Sequence, residues 1–138
     1  MTAAQSARNS PIIKKDMNIN EMATAAHKNA VSKGFYDEPP SVDRRLVLIH
    51  SEVSEACEAD RKDHYCAHIA AKESLGMDDD RFKEYFTAWI KGSFWDEMAD
   101  VIIRIGDFAA AQNVNLEAHV EAKMRYNAMR PHKHGKNY

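Results

Sequence analysis

At 138 residues, 44% of them apolar, the chain is long enough for one domain with a real core, and length alone gives no reason to divide it. A formal net charge of -2 on 29% charged residues argues against a general binder of nucleic acid or anionic membrane, because such proteins need a basic excess to release counter-ions. Two cysteines, Cys57 and Cys66, are too few for a secreted disulfide framework, so the reading is a cytoplasmic protein whose thiols are buried in helical stretches.

Residues 1–16 are rich in Ala, Ser and Asn, carry Lys14 and Lys15, and hold no apolar run long enough for a signal-peptide core. They are expected to be a loosely ordered segment ahead of a single helical domain over residues 17–138. No window approaches the ~20 apolar residues that a membrane-spanning helix needs. From Ile19 to Lys33, the residues Ile19, Met22, Ala23, Ala26, Ala30 and Val31 recur at helical spacing, with Asn18 as a cap and Gly34 as a stop. Pro39 and Pro40 then break the chain, and Ser41 can cap a second helix from Val42 to about Lys62. On that helix Leu46, Ile49, Val53, Ala56, Cys57 and Asp60 fall on one side, with Leu48, Glu52 and Glu55 forming a neighbouring stripe.

The stretch from Asp63 to Gly92 reads as an insertion: a short helical piece to Leu75, an acidic break at Asp78–Asp80, and an aromatic helix with Phe82, Tyr85, Phe86, Trp89 and Ile90. Ser93 and Asp96 have capping-box spacing and open a helix whose broad apolar face comprises Trp95, Met98, Ala99, Val101, Ile102, Ile105, Phe108 and Ala109. A turn at Asn113–Asn115 leads to a last helix from Leu116 to about Met129, closed by Pro131 and a basic, His-rich tail. No segment alternates as a strand does. The expected fold is all-α, a bundle of about four to five helices.

Two acidic pairs at i, i+3 carry the chemistry: Glu52 with Glu55, and Glu97 with Asp100. Residues three apart share a helix face, so each pair presents two carboxylates in one direction at the edge of an apolar arc. Like charges at this spacing repel. No Lys or Arg stands at i+4 from Glu52, Glu55 or Glu97, although Arg104 follows Asp100 at i+4. A hard divalent cation satisfies such a set, since magnesium takes oxygen ligands and bridges carboxylates to phosphates. Acidic pairs are also common as plain solvated surface. A di-iron helical site would need Glu-x-x-His, which the chain lacks, so oxygen-only ligation favours magnesium, with manganese as a substitute.

The segments Leu48-Ile-His-Ser-Glu-Val-Ser-Glu-Ala56, Trp95-Asp-Glu-Met-Ala-Asp-Val-Ile-Ile103 and Lys123-Met-Arg-Tyr-Asn-Ala-Met-Arg-Pro-His-Lys-His-Gly135, with Lys33-Gly-Phe-Tyr-Asp-Glu-Pro39, resemble the MazG-like branch of the all-α NTP pyrophosphatase superfamily. The likeness spans roughly Ile19 to Gly135. It departs at Ser51, where many members carry a further acid, and in the longer insertion. The resemblance implies that Glu52, Glu55, Glu97 and Asp100 hold magnesium and serve catalysis, in hydrolysis of a nucleoside triphosphate to monophosphate and pyrophosphate. It makes Lys123, Asn127 and Arg130 candidates for phosphate or sugar contacts, and it implies a homodimer or homotetramer. Phe35 and Tyr36 could stack on a base or pack between helices.

Trp89 and Trp95 are expected in the core. His64, Cys66 and His68 lack a fourth ligand at zinc-site spacing. His132 and His134 belong to a cationic tail. The rival class is a non-catalytic helical interaction module, in which the acidic pairs face solvent.

Overall fold

A computed structural model describes residues 16–135, and among them the regular structure is helical throughout, with no strand. The loosely ordered segment expected over residues 1–16 therefore lies outside the described residues, apart from Asp16. There are six α-helices: α1 (Ile19–Ser32), α2 (Val42–Arg61), α3 (Ala70–Ser74), α4 (Asp79–Trp89), α5 (Phe94–Ala111) and α6 (Leu116–Ala128), followed by a 3-10 turn at His132–Gly135. Two of the six, α3 and α4, lie between α2 and α5, where a short helical piece and an aromatic helix are expected.

Local chemistry explains the boundaries. Asn18 caps α1 in a full capping box: its side chain accepts from Glu21 N at 2.8 Å, and the Glu21 carboxylate accepts from Asn18 N at 3.2 Å. Ser41 Oγ and Asp78 Oδ1 likewise accept from Arg44 N and Arg81 N to open α2 and α4. Helix α1 ends in a Schellman turn, with Phe35 N donating to Ala30 O and Gly34 N to Val31 O, around Gly34 at φ 82°. Helix α2 ends in the same way around Asp63, at φ 53°, with His64 N donating to Ala59 O at 2.8 Å. That turn sends the chain out of helix before Cys66. The segment between Arg61 and Ala70 is non-helical, which corrects the placement of Cys66 in a helix.

The residues fall into two compact units, one comprising Pro40–Ile105 and the other the residues up to Pro39 with those from Gly106 onward. In the second of these α1 packs against α6, and Asn20 ties them, accepting from Glu117 N and donating to Asn115 Oδ1 at 2.8 Å. Within Pro40–Ile105, α3 packs against α4. The buried apolar side chains are Ala23 in one unit, and Ala56, Ala59, Ala70 and Ile90 in the other, all but Ile90 small. Many large ones are exposed. Trp89 and Trp95, expected in the core, are 66% and 51% exposed, and Leu46, Val53, Ile102 and Ile105 are exposed as well. Cys57, expected as a buried thiol, is also exposed. Periodicity identified the apolar faces of α2 and α5 without determining what covers them.

Candidate functional site

Helices α2 and α5 bring three of the four expected carboxylates together. One oxygen each from Glu52, Glu55 and Glu97 lies within 4.8 Å of the others, the one such group of possible metal ligands among the described residues. Glu52 is 6% exposed and Glu97 9%, whereas Glu55 is exposed and forms the open side. The buried face of α2 runs through Glu52, Ala56 and Ala59, so the acid shares its side of the helix with small apolar residues. Asp100 is not part of the group. Its carboxyl is half-buried, and desolvation followed by the charge of Glu52 pushes its pKa upward, with Arg104 pulling it back.

Glu97 has the most perturbed environment. Desolvation first, then the charges of Glu55, Asp96, Glu52 and Asp100, raise its pKa to about 7. Its side chain has no hydrogen-bond donor among the described residues. Arg104 stands at i+4 from Asp100 on α5, but its Nε donates to Glu52 Oε1 across to α2. This cross-helix pair could not be read from sequence spacing, because it depends on how α2 and α5 align.

The start of α5 is fixed by contacts that also frame the acids. Phe94 N donates to His64 O at 2.9 Å, and the Tyr65 and Phe94 rings lie 5.2 Å apart. Asp96 accepts from Gly92 N at 2.8 Å, one residue before the partner that a Ser93 capping box would use, and the buried Ser93 Oγ has no partner among the described residues. Gly92 adopts φ 73°, and a Cβ there would lie 3.8 Å from His64 Cε1 and 4.0 Å from Glu97 Oε1. Gly92 thus lies beside both His64 and Glu97, a placement that sequence reasoning missed. His64, Cys66 and His68 form no metal-ligand group of their own.

The expected substrate residues lie in the other unit. Phe35 is 70% exposed. Tyr36 is anchored: its hydroxyl donates to Asp107 Oδ1 at 2.8 Å, His27 Nδ1 meets the same oxygen at 2.8 Å, and the two rings meet edge to face. Lys123 and Asn127 are on α6, with Lys123 Nζ 5.2 Å from the Tyr126 ring centroid, while Arg130 is half-buried just beyond the helix end. His132 falls in the 3-10 turn and is exposed.

The chemistry of the donor set fits a small hard dication. The ligands are all oxygen, two are withdrawn from water, and one of those is an unpaired carboxyl held close to two others. No protein-family model matches the chain, and neither curated proteins nor solved structures yield a match to it. The fold and the cluster define it as an all-helical protein with a three-carboxylate centre.

Proposed function

We propose that the chain is a magnesium-dependent nucleoside triphosphate pyrophosphohydrolase of the MazG-like kind, with Glu52, Glu55 and Glu97 as metal ligands and Asp100 beside them. The observation that carries the reading is the convergence of two buried acids and one exposed acid from separate helices, in the two motifs that bear the resemblance. When bound, magnesium or manganese supplies charge neutralisation at the phosphoryl group and orients water. Glu52 and Glu97 hold the site from the buried side. Glu55 faces the opening, where substrate arrives. By the resemblance alone, Lys123, Asn127 and Arg130 are assigned to phosphate or sugar, and Phe35 and Tyr36 to the base.

The test is incubation with the common and several damaged (d)NTPs in magnesium, with product identification. Monophosphate plus pyrophosphate is expected, and diphosphate plus phosphate alone would remove the class. Failure of every nucleotide to react would favour the rival, a helical interaction module, which the exposed apolar residues of α2 and α5 also suit.

Those residues further support a homodimer or homotetramer. Ile102 and Ile103 are 55% and 45% exposed on α5, and Val47 is 65% exposed on α2, apolar side chains that a second copy would cover. Light scattering at micromolar concentration is expected to give a multiple of 15.7 kDa, and a compact monomer of that mass would reject the assembly. No described helix is long and apolar enough to cross a membrane, and a cytoplasmic location is assigned with the same proposal.

A further inference from the structure

We propose that Arg104 is an exchangeable counter-ion of the carboxylate centre: its guanidinium holds Glu52 when no metal is present and yields that carboxylate when a divalent cation binds. The inference rests on the metal-binding reading given above and adds to it a residue that competes with the ion.

The geometry favours exchange over permanent pairing. Glu52 is the most enclosed member of the group, its side chain 8% exposed, whereas the Arg104 side chain is 39% exposed. The cation therefore sits at the rim with its partner inside. Withdrawing Arg104 returns a charge to water; withdrawing Glu52 would strand one in the protein. The contact runs through Nε to a single oxygen, Oε1, with no second guanidinium nitrogen paired to the carboxylate, so the hold lacks the two-point geometry of the strongest Arg–carboxylate pairs.

The cluster also carries more negative charge than Arg104 alone offsets. Glu97, 9% exposed, has no hydrogen-bond donor among the described residues, and its carboxylate points at those of Glu52 and Glu55 within 4.8 Å. Arg104 is the one cation paired with any of the three among the described ion pairs. It reaches Glu52 alone, leaving Glu55 and Glu97 uncompensated. An ion placed among all three oxygens satisfies more charge than the guanidinium can. Two positive charges on Glu52 would repel each other, so the weaker and more exposed one leaves.

Calorimetric titration of Mg²⁺ and of Mn²⁺ alone tests this on wild type, Arg104→Met and Arg104→Lys at constant ionic strength, alongside melting curves in chelator. Arg104→Met should melt lower than wild type in chelator yet bind Mn²⁺ about tenfold more tightly, because a competitor for Glu52 is gone. Arg104→Lys keeps the charge with a weaker hold and should fall between the two in both measurements. Unchanged or weaker metal binding in Arg104→Met, with wild type binding normally, would show that Arg104 orients Glu52 for the ion, and would overturn the inference while leaving the metal reading intact. Should Arg104→Met fail to fold, Arg104→Lys decides by the same criterion: tighter binding supports exchange, and unchanged or weaker binding overturns it. A wild type that binds neither ion removes the metal reading itself and the inference with it.

Discussion

Replacing Glu97 with glutamine is expected to abolish nucleotide hydrolysis while making the metal-free protein more stable. The two effects have one cause. Glu97 is nine-tenths buried among like charges, so its ionised form is unfavourable in the fold and favourable only as a ligand. Glutamine keeps the shape and removes the charge. Hydrolysis should fall at least about a hundredfold, since altering groups that merely orient ligands already costs about 10–100-fold. In chelator at pH 8 the variant should gain roughly 1–3 kcal/mol, a fraction of the full shift being lost to solvent screening.

The pH dependence has a definite sign. The folded pKa of about 7 lies above the ordinary carboxylate value of 4.5, so between these values the folded protein keeps a proton that the unfolded chain releases. The contribution of Glu97 is complete below about pH 4.5 and is lost as pH rises through about 7. Metal-free wild type should therefore lose stability relative to Glu97→Gln across that window. Magnesium should raise the melting temperature of wild type and raise that of the variant much less. A variant destabilised in chelator, with an undiminished magnesium response, would contradict the account.

Gly106→Val is expected to produce the largest loss of stability. Gly106 is buried in α5, and an added Cβ would lie 2.9 Å from Met22 Sδ and 3.1 Å from the Ala23 Cα of α1. The sulfur can swing away, but the backbone of α1 cannot without moving the helix. Alanine gains about 1 kcal/mol of helix propensity over glycine, offsetting part of the clash, so Gly106→Ala should be only mildly destabilised. Valine adds two further methyl groups with a stiff rotamer. Overpacking of about 3 kcal/mol or more follows, a fall of about 10 °C in melting temperature. A valine variant melting within about two degrees of wild type would show that α1 does not cross α5 at this glycine.

The readable parts of the fold were those governed by local chemistry. Asn18, Ser41 and Gly34 marked helix ends because caps and left-handed turns depend on a few adjacent residues. Glu52 and Glu97 were legible as edge residues from their i, i+3 spacing within apolar arcs. What escaped depends on contacts between elements. Arg104 looked like a partner for Asp100 one turn earlier, and only the alignment of α2 with α5 gives it to Glu52. The burial of Trp89 and Trp95 was inferred from helical faces, yet their rings are exposed, since a periodic pattern defines a face and leaves its cover unstated. The short helical piece expected up to Leu75 begins only at Ala70, after a non-helical stretch that follows Asp63 in a left-handed conformation, so Cys66 was placed in a helix it does not occupy.

The central claim is that Glu52, Glu55 and Glu97 hold a divalent cation. Crystals grown or soaked with Mn²⁺, measured for its anomalous scattering, test this most directly. The account predicts a peak coordinated by oxygens of all three carboxylates; a well-ordered cluster without such a peak, at manganese concentrations that support hydrolysis, would contradict it.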